Sequence, residues 1–342
     1  MSSAIEFHDD EDHLVNGVLR LLDLDRDELE RWRELSEAHE GTLLERLAVG
    51  WRELRPPPVP PEGSAAAGVD TGPAGEHGTL WHPALAESPD FGFARSDDGK
   101  LAWLVRFDGE QWTRESEPPE YEEGYFEGGR EEGGYGGYRE EAGWRLEKSA
   151  RQVREMREAT GLASGRVLDI GSGYGYFRVA LGEAGFEHAG LEVSAHGRAV
   201  AAEAFGQETY GGLLSEHVDD WTGGFDALTA FDLIEHVADP VGFLREAGRV
   251  LRRGGFLGLK TPNVDAPEAQ VFGPHYHSLK REHLVLFTPG SLAATAATAG
   301  FEPVEVSTVS HLLRGFAGDE QCRAWEREGR GADVVAWFRR SS

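Results

Sequence analysis

Asp169, Gly171, Gly173 and Gly175 stand in the stretch VLDIGSGYGYF, residues 167–177. An acid followed by three alternating glycines after an apolar run is suited to receiving a ligand at a strand end. The glycines let the backbone turn tightly and approach the ligand closely, and the carboxylate can hold a cation. A second acid, Glu192, closes the apolar stretch HAGLEVS, and its oxygens suit a pair of ribose hydroxyls. Two histidines add proton chemistry, His236 in LIEHV and His283 in REHLVLFTP. Imidazole titrates near neutrality and is the natural base for a hydroxyl. The segment HYHSLKREH, residues 275–283, adds His275, His277 and Arg281 as groups for a polar or acidic substrate. His275 and His277 would share a side of an extended chain, but no complete ligand set accompanies them, and no metal is expected.

The spacing of the glycines bears on which nucleotide fits. In the dinucleotide fingerprint GxGxxG, the third glycine lets the helix pack close beneath a pyrophosphate. Counted from Gly171, that position is Tyr176, and Gly175 falls one residue early. S-adenosylmethionine (SAM) has no phosphate; it carries an ammonium, a sulfonium and a carboxylate. An acid at the strand tip suits its cationic end. Glu192 does not separate SAM from a nicotinamide dinucleotide, since both carry a ribose.

The elements that must position these residues alternate regularly. A helix over 144–160 leads to a strand at 166–170, then a helix at 174–183 and a strand at 187–193. A helix at 195–205, a short strand near 208–210 and a strand at 225–230 follow. Helix 240–251, strand 255–261, helix 289–299 and strands near 302–309 and 333–338 complete the series. Such alternation implies an α/β fold, a mostly parallel sheet with helices on both faces. Ahead of it, residues 1–54 read as a helical N-terminal region, with Leu29, Trp32, Leu47 and Trp51 among residues at helical spacing. Its apolar faces are candidates to dimerise, to bind a partner protein or to pack on the remainder. Residues 55–78 are rich in Pro, Gly and Ala and read as a linker. Residues 79–114 read as a small accessory β element with Asp-Gly turns, and 115–143 as an acidic Gly/Tyr-rich lid or loop. The catalytic domain is expected over 144–342.

Bulk properties narrow the function. A net charge of −27 over 342 residues repels phosphate backbones and anionic lipid, so no nucleic-acid partner is expected. No apolar run approaches the ~18 residues of a membrane helix, and the acidic N-terminus does not resemble a signal peptide. A cytoplasmic location is expected. The single cysteine, Cys322, excludes an intrachain disulfide and a cysteine-based zinc cluster.

VLDIGSGYGYF, GLEVS, FDALTAFDLIEHVADP, LRRGGFLGLKTPN and EHLVLFTPGSLAATAATAGF follow the motif order of class I SAM-dependent methyltransferases, which the chain resembles from about Tyr121 onward. The branch is similar to small-molecule methyltransferases related to the O-methylating enzymes of the ubiquinone pathway. The resemblance implies a Rossmann-like, seven-stranded sheet and SAM as cofactor. It puts Asp169, Gly171, Gly173 and Gly175 at the methionine end and Glu192 at the ribose. Gly212, Leu213 and Leu214 match the place that lines the adenine, and Phe231 and Asp232 the place near the methyl group. Imidazole chemistry and position make His283 and His236 the candidate bases, and the aromatic residues interleaved in 115–143 make Tyr135 and Tyr138 candidates to close over the ligand. Many relatives carry a cysteine-rich zinc element before the catalytic domain, and residues 79–114 depart from that pattern. The expected activity is methyl transfer to a small-molecule acceptor, first to a hydroxyl, with a secondary metabolite fitting the fused N-terminal region. Carbon or nitrogen methylation of a sugar or natural-product scaffold, and an inactive SAM-fold interaction protein, are the alternatives.

Overall fold

The periodic apolar residues of the N-terminal region fold into two helices, α1 (Arg26–Glu37) and α2 (Leu43–Leu54). Each opens on a capping box, Asp25 with Glu28 and Thr42 with Glu45, which satisfies two backbone donors at each start. These elements belong to a computed structural model that describes residues 24–64, 69–70, 78–85, 88–117, 142–310 and 313–341. The chain divides into two units. The first comprises Met1–Glu117, Pro262–Pro289 and Ser307–Val334, the second Pro118–Thr261, Gly290–Val306 and Val335–Ser342.

In the first unit, the stripes of α1 and α2 are buried against aromatic rings from far along the chain. The Trp32 indole donates to the Leu47 carbonyl at 3.0 Å. Trp32 and Trp51 meet edge-on at 5.3 Å and lie 5.5 and 4.9 Å from Phe272, which ends helix α7 (Pro267–Phe272). Phe316, in α9 (Arg314–Arg327), sits 4.4 Å from Trp32. The apolar faces proposed for a partner are therefore spent, in large part, inside their own unit. Strands β1 (Val69–Asp70), β2 (Gly78–His82), β3 (Phe91–Ser96), β4 (Leu101–Phe107) and β5 (Trp112–Arg114) form a sheet in the order β1-β5-β4-β3-β2. One edge of β4 is completed by β10 (Val285–Phe287), which pairs antiparallel with residues 101–103.

The second unit is built on a six-stranded sheet. Its strands are β6 (Arg166–Ile170), β7 (Glu187–Leu191), β8 (Phe225–Phe231), β9 (Leu251–Pro262), β11 (Phe301–Val309) and β12 (Asp333–Arg340), ordered β11-β12-β9-β8-β6-β7. The β6–β7, β6–β8 and β8–β9 pairs are parallel. Helices α3 (Ala142–Thr160), α4 (Tyr176–Glu183), α5 (Ala195–Phe205), α6 (Pro240–Val250) and α8 (Pro289–Thr298) alternate with them. The near-continuous burial of β6 and β8 is that of strands covered on both faces. After β6 the chain lays β7 on one side and β8 on the other. The order reverses there, and ligands of open α/β sheets bind at the carboxyl ends of strands at such a point.

Two boundaries differ from those the sequence suggests. The strand expected near 208–210 is an isolated parallel bridge, Leu191 to Tyr210, so the described sheet has six strands and this single rung. Residues 262–289 and 307–334, expected within one catalytic domain, fall in the first unit. The reason is burial. The edge of β4 and the tryptophans of α1 and α2 need cover, and β10, Phe272 and Phe316 supply it.

Candidate functional site

The turn after β6 is held by its own backbone. Gly171, Gly173 and Gly175 have φ of 71°, 51° and 83°, the left-handed region that glycine enters without strain. At Gly175 the positive φ disfavours any side chain, and a Cβ would also displace the Gln207 carboxamide. The N–H groups of Gly171 and Ser172 both donate to the Leu191 carbonyl, at 2.8 and 3.2 Å. Tyr176 opens α4 and is buried against Phe205 at 5.6 Å. A bulky ring thus occupies the position where the dinucleotide fingerprint needs a glycine.

Two buried carboxylates flank this turn. Glu192, just past β7, accepts from the Gly173 N–H at 2.8 Å and the Ser194 N–H at 2.9 Å, one to each oxygen. A carboxylate has about four acceptor sites, so roughly two remain for a ligand. Burial raises its pKa, opposed by those backbone bonds. Asp169 lies one strand over and accepts from the Thr229 hydroxyl at 2.8 Å. Burial pushes its pKa from 3.8 to about 7, against the Thr229 bond and the Arg178 charge. Ser172 Oγ and Gln207 Oε1 are buried beside the turn without a hydrogen-bond partner among the described residues. Unsatisfied polar atoms in a glycine cradle are what a polar ligand would complete. The donors and acceptors present therefore fit SAM.

The tip of β8 is strained. Asp232 has φ 54°, the sole positive value at a non-glycine among the described residues. Its N–H donates to the Lys260 carbonyl at 2.8 Å, and the Lys260 ammonium donates to its carboxylate at 2.6 Å. Phe231 turns its ring toward Phe177 and Trp337, at 5.3 and 6.1 Å. The next turn, Ile234–His236, buries Glu235 and His236. Glu235 accepts from the Thr261 hydroxyl at 2.9 Å, and burial, then the Asp232 charge, raises its pKa well above the carboxylate range. In the loop after Tyr210, Leu213 is 60% exposed while Leu214 is buried. His217 stacks on Trp221 at 4.4 Å beside them.

His236 belongs to the second unit, and His275, His277, Arg281 and His283 to the first. His283 is buried, and its Nδ1 lies 2.8 Å from the Ser278 carbonyl. A carbonyl only accepts, so Nδ1 carries the proton in the neutral ring and Nε2 the lone pair. His277 Nε2 is 3.2 Å from the Ser278 hydroxyl, His275 lies edge-on to Trp51 at 6.0 Å, and Arg281 stacks over Phe91 at 4.6 Å. Tyr135 and Tyr138 lie outside the described residues. Ser172, Thr229, Glu235 and Lys260 lie within the quoted motifs but carry no individual signal that assigns them a partner. The Thr229–Asp169, Glu235–Thr261 and Lys260–Asp232 contacts are made between strands or the turns that follow them, which no local spacing announces.

Residues 142–306 match the model of a family described as a methyltransferase domain. The chain is similar to the ubiquinone biosynthesis O-methyltransferase of Azorhizobium caulinodans, 31% identical over 180 residues, covering 48% of this chain and 68% of that one. The enzyme of the same name from Pseudomonas aeruginosa is 28% identical over 182 residues, covering 52% and 68%. Among solved structures, a SAM-dependent methyltransferase from Archaeoglobus fulgidus aligns at 16% identity with a TM-score of 0.45, covering 57% of this chain and 94% of that one.

Proposed function

The chain belongs to the class I SAM-dependent methyltransferase family, and from that premise we propose that it methylates a hydroxyl of a small molecule. The observation that carries the site assignment is the pair of buried carboxylates, Asp169 and Glu192, around three positive-φ glycines. SAM supplies a methyl group already activated by a sulfonium. Asp169 would balance the ammonium of the methionine end. Glu192, fixed by two backbone donors, would accept from the ribose. Gly171, Gly173 and Gly175 let the backbone approach, and Leu213 and Leu214 are assigned to the adenine. Phe231 and Asp232 are assigned to the neighbourhood of the methyl group.

What remains for the chain is to align the acceptor and remove its proton. His283 is our first assignment as base, because its protonated Nδ1 is anchored and leaves Nε2 as the basic atom. His236 is the second. The acceptor oxygen is supported by the names of the relatives, which are O-methyltransferases. His275, His277 and Arg281 are assigned to the acceptor, and Tyr135 and Tyr138 to closure.

The test is a calorimetric titration with S-adenosylhomocysteine beside NAD, followed by transfer assays on phenol, amine and carbon acceptors. Binding of the first ligand alone and transfer to phenols are expected. NAD binding would withdraw the cofactor assignments, and transfer to amines alone would withdraw the oxygen. Binding without any transfer would favour an interaction protein.

A further inference from the structure

The first unit has an open cavity of about 590 Å³ between the end of α2, strands β2 and β3, and the segment 264–275. The volume is that of a small-organic-ligand site. Trp81 gives it a part-exposed aromatic wall, and the buried Trp51 and Phe272 back it from the core. Arg52, Arg55, Arg95 and Arg330 also line it, with Asp265 as the sole acid of the described lining. The chain as a whole has 61 acids to 34 bases, so this lining reverses the charge of its surroundings. A local positive field in an acidic protein selects for anions.

The individual groups sharpen the chemistry. Arg95 pairs with Asp265 and lies 5.2 Å over the Trp81 ring. Arg55 pairs with Glu28 at 2.8 Å, and Arg330 is 3.7 Å from Glu328. Arg52 is exposed and makes no ion pair among the described residues, so its charge is available. Trp51 Nε1 and His82 Nε2 are buried ring nitrogens with no hydrogen-bond partner among the described residues. His82 packs on Trp81 at 4.2 Å, and burial, then the Arg95 charge, lowers its pKa to about 4. A neutral imidazole there leaves the positive charge of the lining to the arginines.

We propose that this cavity is a binding site for a small aromatic anion, its ring against Trp81 and its charge toward Arg52 and Arg330. A flat aromatic wall favours a ring over an inorganic ion, and the arginines favour an anion over a neutral ring. The assignment concerns the first unit alone; His275, assigned above to the acceptor, also lines this cavity, and the test reads binding without transfer.

The full chain is titrated calorimetrically with benzoate and phenylphosphate, beside benzyl alcohol and inorganic phosphate, which each lack half of the chemistry. Both aromatic anions should bind at least about tenfold more tightly than either half-probe, the scale of one hydrogen bond to a charged group. Arg52→Ala should weaken both anions about tenfold at an unchanged melting temperature, since the side chain is exposed. Arg330→Ala repeats the test at a second arginine of the lining. Absent binding, equal binding of benzyl alcohol or inorganic phosphate, or unchanged affinity in both arginine variants would each overturn the proposal.

Discussion

Strands β8 and β4 are both central and both buried, yet they acquire their neighbours differently. β8 lies between β6 and β9, parallel strands reached through intervening helices in a regular succession. β4 pairs with β3 and β5 through local turns, and then with β10 from residues 285–287. The first arrangement follows from alternation and the handedness of βαβ units. The second depends on which distant segment covers an edge. Residues positioned by the first sheet can be assigned by motif. Residues carried by the second, His283 next to β10 among them, are placed by a pairing that local alternation does not predict.

The largest expected effect tests whether that second region takes part in chemistry at all. His283→Ala should slow turnover by roughly 10²–10⁴ while leaving S-adenosylhomocysteine affinity nearly intact, as loss of a general base does. The measurement is single-turnover transfer beside calorimetry. Wild-type rates would confine the chemistry to the second unit and move the base to His236.

Next comes pH, which tests the first region. Asp169 has a folded pKa of about 7 against 3.8, so between these values the native state holds a proton that the unfolded state has lost. Stability from this group is therefore greatest below about pH 4 and falls as pH rises through 7, by about 4 kcal/mol in total. Asp169→Asn should flatten the urea midpoint between pH 4 and 8. The ammonium of the ligand's amino-acid end favours the ionised form, so titration with S-adenosylhomocysteine near pH 6 should release a proton in the wild type and none in the variant. A steep pH profile retained in the variant would place the titration elsewhere, with Glu192 and Glu235 the next buried acids to examine.

These two tests divide along the line between what could be read and what could not. Asp169, Glu192 and the three glycines were legible because a strand, a turn and the next strand place them within one βαβ unit. The turn also excluded the dinucleotide reading, since Tyr176 is a buried ring where a glycine was required. Thr229 and Lys260 were not legible, because register between strands brings them to Asp169 and Asp232. The membership of 262–289 in the first unit was hidden for a related reason. Apolar stripes announce that they need a partner without saying which one, and Phe272 became legible as the answer only in three dimensions.

A smaller effect is expected at Glu192. Replacing it with alanine removes acceptors for the ribose and frees the Gly173 and Ser194 N–H groups. S-adenosylhomocysteine binding should weaken by about 1–3 kcal/mol, the scale of hydrogen bonds to a charged group. Glu192→Gln keeps one acceptor oxygen and should lose less. Equal losses in the two variants would mean that the turn, and not the ribose contact, had been damaged.

The smallest effect asks whether the two regions are energetically separate. Thr42 caps α2, with its side chain accepting from the Glu45 N–H, and α2 carries Trp51 to Phe272. Thr42→Ala should cost about 1 kcal/mol, as loss of an N-cap does. That cost should appear as a lower melting temperature. The bonds that hold Asp169, Glu192 and the glycine turn join residues of the second unit, so S-adenosylhomocysteine affinity should not change. If affinity falls along with stability, the helical hairpin and the β6 turn share one cooperative unit, and the contrast between β8 and β4 describes assembly of the fold without dividing its energetics.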